Sequence, residues 1–225
     1  MPSSSMMDLS NDLGSAAMGR GDYKEARKQF RFMVKESLKH GEKEQAIAWN
    51  RLGTACVRDN RYKDAEEAFR ASVDLAERAY GATHFAVSIE LNNLGFVLWK
   101  GLGDKAGAKQ QFEKAVELIE NAIAAGTEEI SPFDREIFSE AFENLASVYQ
   151  GERNLAMTEE LLRKAVKIQS SDGMVPTSQT QLRPLMQLVQ LLDKQGRGPE
   201  ARELMDQHLA AAQRAVAPPA LPDES

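Results

Sequence analysis

Apolar residues recur at helical spacing along most of the chain, and the helical stretches come in pairs separated by short polar breaks. A leucine followed by a small or branched residue marks the first stretch of each pair: Leu13-Gly14, Leu52-Gly53, Leu94-Gly95, Leu145-Ala146 and, less closely, Leu188-Val189. The intervals between these leucines are 39, 42, 51 and 43 residues. After each comes a polar break and a second helical pattern: RGDYKEARKQF, DNRYKDAEEAF, LGDKAGAKQQF, ERNLAMTEELL and GRGPEARELM. The pattern therefore predicts a helix, a turn and a helix, about five times over, and no strands.

The second pair shows the skeleton most fully, with Trp49, Leu52, Gly53 and Cys56 followed by Tyr62, Ala65, Phe69 and Ser72. Its elements return as Leu13, Gly14, Ala17, Tyr23, Ala26 and Phe30, and as Leu94, Gly95, Leu98, Ala108, Phe112 and Ala115. Phe142, Leu145, Ala146, Leu162 and Ala165, then Leu185, Leu188, Leu192, Ala201 and Met205, continue it. Small residues at Gly53, Gly95, Ala146, Ala65 and Ala108 let paired helices approach closely, while Trp49, Phe69, Phe112 and Phe142 fill the space between pairs. No pair can bury its apolar face alone, so the pairs are expected to stack.

This skeleton resembles the tetratricopeptide repeat. The join ERAYGATHFAVSIELNNLG is similar to the longer repeat of the kinesin light chain type, where a Gly-x-x-His-Pro turn precedes an Asn-Asn-Leu segment; Gly81, His84, Asn92, Asn93 and Leu94 match, and Phe85 stands in place of proline. The resemblance implies an all-α fold, a right-handed superhelical solenoid of about five repeats over residues 6–216: 6–40, 42–80, 83–125, 131–171 and 178–216. Residues 1–5 and the proline-rich 217–225 lack a periodic face and are expected to be disordered. Gly41, Gly81 and Gly126 are expected to close helices in a left-handed conformation, and Ser131-Pro132 with Asp134 to open one. Leu94 to Phe112 is one residue longer than Leu52 to Phe69, which predicts an extra residue in the third turn.

In a solenoid of helix pairs the first helix of each pair lines the concave side. Spacing of i, i+3, i+4 and i+7 then assigns to that side Asn50, Arg51, Thr54 and Arg58 of the second pair, with Ile47 and Val57. The third pair contributes Ile89, Asn92, Asn93, Phe96, Trp99 and Lys100, and the fourth Glu140, Glu143, Asn144, Ser147 and Gln150. Asn11, Ser15 and Met18 of the first pair and Arg183, Met186, Gln187 and Gln190 of the fifth occupy the same stripe. Asparagine both donates and accepts, so Asn50, Asn92 and Asn144 are candidates to hold a peptide backbone, with Phe96 and Trp99 forming an apolar pocket. The competing reading has these amides bonding between adjacent first helices and Trp99 packing under the turn that follows it. A clamp for the acidic tail of a chaperone needs cations on three successive first helices; they are missing, and Glu140 with Glu143 would repel such a tail.

Composition narrows the function. With 42% hydrophobic and 28% charged residues the chain is an ordinary globular sequence. A net charge of -6 with scattered basic residues argues against nucleic acid. No run of apolar residues suits a membrane span and no secretory signal is present, so a cytoplasmic location is expected. Cys56 has no partner for a disulfide or a zinc motif, and His40, His84 and His208 are expected to be structural or solvated. No phosphate-binding glycine loop, Gly-x-Ser-x-Gly or His-Glu-x-x-His occurs, so neither a cofactor nor a metal is expected. The expectation is a non-enzymatic adaptor that binds an extended peptide or helix of a protein partner. A regulatory subunit of an enzyme or signalling complex, and a scaffold that associates with itself, stand as alternatives.

Overall fold

The computed structural model describes the chain except residues 1–4, 127–130, 171–174, 177 and 217–225, and the side chains of 132, 133, 215 and 216. The tail expected at 217–225, and the first four residues of the other, lie outside the described residues. Among those described there are ten α-helices and no strand. The chain divides into two compact units, Met1–Glu129 and Ile130–Ser225.

In the first unit α1 (Met6–Gly19) pairs with α2 (Tyr23–Ser37), α3 (Glu42–Arg58) with α4 (Tyr62–Tyr80), and α5 (Ala86–Phe96) with α6 (Lys105–Ala125). The pairs stack because α2 also packs on α3 and α4 on α5. Within each pair the repeat glycine lets the helices close: a Cβ at Gly14, Gly53 or Gly95 would lie 2.5, 2.7 or 2.6 Å from the ring of Phe30, Phe69 or Phe112, so Phe69 and Phe112, expected between pairs, seat on the glycine of their own pair. Those rings, with Ala17, Ala26, Ala65, Ala108 and Ala115, are fully buried or nearly so. In the second unit α7 (Pro132–Gly151) pairs with α8 (Leu155–Gln169), and α9 (Gln179–Lys194) with α10 (Gly198–Val216), with α8 packed on α9. Its core is Phe138, Phe142, Leu145, Leu162, Leu188 and Leu192.

Local signals set the helix ends. Ser5, grouped above with the tail, instead opens α1 through a capping box with Asp8. Asp22, Asp104 and Asn154 cap α2, α6 and α8, and Ser131 accepts the Asp134 amide at 3.2 Å to open α7 as expected. Gly126 closes α6 in the left-handed conformation and Gly81 ends α4 at φ 94°. Gly41 does not follow this rule: at φ -70° it is the extended residue that starts α3.

Each turn within a pair holds one residue of positive φ: Gly21, Asn60, Gly103, Arg153 and Gly196. The third pair keeps this turn, and its extra residue sits elsewhere. It widens the end of α5 into a π-helical turn, Val97–Gly101. The insertion is thus absorbed inside a helix, as such single-residue insertions often are. Gly101 suits this position, since a Cβ there would come within 2.4 Å of the Tyr62 ring.

Candidate functional site

On α3, Arg51, Thr54 and Arg58 are exposed and Asn50 is half-buried. Thr54 Oγ1 donates to the Asn50 carbonyl at 3.0 Å, a helical back-bond that fixes its rotamer. Arg58 lies over the Tyr23 ring, its guanidinium carbon 5.5 Å from the centroid, and Nη2 donates to the Tyr23 hydroxyl at 3.3 Å. Asn50 turns along the stack: Nδ2 donates to Glu90 Oε2 at 2.6 Å. Glu90 is buried, with no cation bonded to it; burial raises its pKa, which the hydrogen bonds from Asn50 and Ser72 oppose. The Ser72 hydroxyl also donates to the Ala46 carbonyl at 2.8 Å, which ties α4 to α3 beside this acid.

On α5, Ile89, Asn93 and Phe96 are half-buried. Asn92 departs from the expectation of an open groove residue: it is 3% exposed, because the helix rotates it into the packing between helices. The π-helical turn then sets the next two side chains. Trp99, half-buried, meets Phe112 edge-on at 6.3 Å, and the exposed Lys100 places Nζ 3.4 Å above the Trp99 centroid. Trp99 therefore has both a packing role and a surface edge. The first unit thus gathers Arg51, Arg58 and Lys100 as exposed cations on first helices that also carry Asn93, Phe96 and Trp99.

On the second unit, Glu140 is exposed and Asn144 half-buried. Between them Glu143 is buried and joined by Arg183 of α9, whose Nε and Nη2 donate to its two carboxylate oxygens at 2.7 and 3.1 Å. Burial raises the Glu143 pKa against the pull of Arg183, while the carboxylate holds Arg183 more firmly charged. Along α9, Gln179, Thr180, Arg183, Met186, Gln187 and Gln190 border an open depression. Four of these are the stripe assigned to the fifth pair.

Packing accounts for Cys56 and His84. Burial, with Asp64 nearby, pushes the Cys56 thiol up to about 11, which removes it as a nucleophile. His84 accepts the Ala86 amide through Nδ1 at 3.1 Å and stacks against Tyr80 and Phe85, so it organises the start of α5. No cluster of three His, Cys, Asp or Glu side chains suited to a metal occurs among the described residues. Nor, among them, is any helix long and apolar enough to cross a membrane. Sequence reasoning missed Glu90 and Tyr23 and left Glu143 and Arg183 unpaired. For Glu90, Glu143 and Arg183 the available signal was complementary polar residues 40 positions apart, close to the 42 and 43 residues between the repeat leucines of those pairs.

The family model for the tetratricopeptide repeat matches residues 44–121, the segment of α3 to α6. No curated protein matches the chain. Among solved structures, BtubC from P. vanneervenii is similar at a TM-score of 0.69 and 13% identity, over 96% of this chain and 83% of that one. Nearly identical TPR-like repeats assigned to a kinesin light chain of Podosopora anserina superpose at 0.66 with 20% identity, over 97% of this chain and all of that one. The apo form of RapI superposes at 0.68 with 13% identity, over 93% of this chain and 71% of that one. At these identities the likeness is one of fold, an all-α helical repeat.

Proposed function

We propose that this chain, whose residues 44–121 match the tetratricopeptide repeat, is a non-enzymatic scaffold holding an extended segment of a protein partner along the first-helix face of its first unit. What supports the reading is that the first helices of this unit expose Arg51, Arg58 and Lys100 and leave Asn93, Phe96 and Trp99 half-buried, with Lys100 lying over the Trp99 ring. Solenoid packing accounts for Asn50 and Asn92, and aromatic rings hold Arg58 and Lys100, but nothing in the packing calls for Arg51 or the open edge of Phe96. An acidic residue of the ligand would meet the cations, an apolar side chain would lie on Phe96 and the Trp99 edge, and the Asn93 amide would hold backbone. Glu140 and Asn144 offer a separate contact of opposite charge on the second unit. A cytoplasmic setting, where the lone Cys56 stays reduced, belongs to the same proposal.

Affinity capture from the native lysate tests it, with wild type beside an Arg51→Glu, Phe96→Ala double variant of equal melting temperature. Partners lost with the double variant are the expected result. Partners retained equally would refute this face as the site.

A further inference from the structure

We propose that α1 is a self-association surface, through which two copies of this chain pair with their α1 helices antiparallel about a two-fold axis. This is independent of the ligand face just described.

One side of α1, formed by Ser10, Gly14 and Ala17, is buried within the first pair. The other side is bare: Met6, Leu9 and Leu13 are 54%, 45% and 47% exposed, and exposed Ala16 extends the row. The same register in later pairs is covered. Ala48, Leu52 and Ala55 of α3 are buried, as are Val87, Leu94 and Val97 in and just after α5. There the cover is the second helix of the preceding pair, α2 on α3 and α4 on α5; Leu52 and Trp49 share a crevice with Arg31 and Val34 of α2. Thus α1 presents a face that this fold elsewhere closes with a helix, and presents it to solvent.

The spacing of the bare row specifies a helix partner. Met6, Leu9, Leu13 and Ala16 step by three, four and three, the seam of two helices packed side by side. The row is self-complementary. With the helices antiparallel, Leu9 of one copy meets Leu13 of the other and Met6 meets Ala16, large against small, with no charge on the seam. An isologous contact of this kind closes at two copies. The alternative of stacking α1 end-on against α10 of another copy is poorly matched, because α10 exposes Arg202, Glu203, Asp206 and Gln207, with Leu209 the one large exposed apolar side chain among its described residues. Asp12 flanks the seam, and the two-fold brings its two copies near each other. Like charges there oppose association, so salt strengthens it. A 14-residue helix spans roughly 21 Å, which gives a contact smaller than a standard interface and a dimer that forms only as concentration rises.

Sedimentation equilibrium of the full chain from micromolar to millimolar concentration tests this. The expected result is a monomer–dimer equilibrium that Leu9→Asp or Leu13→Asp weakens by about 100-fold, the scale of burying an unpaired charge. Both leucines are exposed in the monomer, so the melting temperature of either variant at low concentration should match wild type. Asp12→Asn should tighten the dimer and remove most of its salt dependence. A monomer at every concentration would overturn the proposal. So would a dimer indifferent to both leucine variants, or one that Leu209→Asp abolishes instead.

Discussion

The two units fasten neighbouring first helices at the same place by different chemistry. In the first, Asn50 of α3 donates to Glu90 of α5; in the second, Arg183 of α9 grips Glu143 of α7, and each pair is separated by 40 residues. One junction is an amide on a buried acid without a cation, the other an ion pair. Asn11, at the place in α1 that Asn50 holds in α3, has neither, and its Oδ1 is buried without a hydrogen bond. The position two before the repeat leucine therefore serves the stack in Asn50 and Glu143, and is closed off in Asn92. The position next to the leucine stays more open: Arg51 is exposed, and Asn93 and Asn144 are half-buried. Recognition residues should be sought at the second of these positions.

Removing one partner from each junction sharpens the contrast. Arg183→Ala leaves Glu143 buried and alone, with an expected loss of about 2–3 kcal/mol in denaturant unfolding. That is less than the roughly 3–5 kcal/mol of a fully buried pair because Arg183 is 45% exposed. Asn50→Ala takes away the amide donor of Glu90 and should cost about 1–2 kcal/mol by the same measurement. Equal losses would mean that the Arg183–Glu143 junction is no stronger than the Asn50–Glu90 one.

Glu90→Gln separates charge from shape. The folded protein holds the Glu90 proton above its ordinary carboxylate range. Its burial is therefore tolerated fully at acid pH, below the unfolded pKa near about 4.3, and destabilises the fold as pH rises through the folded value. Wild type should lose stability relative to Glu90→Gln across that rise and match it most closely at acid pH. A constant difference across pH would contradict a raised pKa. The smallest effect is Lys100→Ala, which removes a cation from above Trp99 and should cost at most about 1 kcal/mol in thermal unfolding.

The five helix pairs were legible because the leucine and small-residue skeleton states both the helical period and the close approach, and Gly14, Gly53 and Gly95 lie under the very phenylalanines that the spacing pairs with them. The open stripe was legible only in part. A row taken at i, i+3, i+4 and i+7 is roughly 100° wide, and the packing of α5 decides which of its adjacent asparagines turns inward. The extra residue of the third pair was legible as a count but not as a location. Widening the end of α5 kept the positive-φ turn at Gly103, and that choice depends on Gly101 fitting against Tyr62. Leu13 carries the repeat signature yet is exposed, because burial there needs a neighbouring helix that the pattern of one repeat cannot supply.

A partner lying along the first-helix face of α3 and α5, as proposed, would shield the backbone of those two helices. Hydrogen exchange of the full chain, with and without a partner segment recovered by capture, tests this most directly. Binding should slow exchange in α3 and in α5 with its π-helical turn, while α2 and α10 are unchanged. Protection confined to α2 or α10 would contradict it.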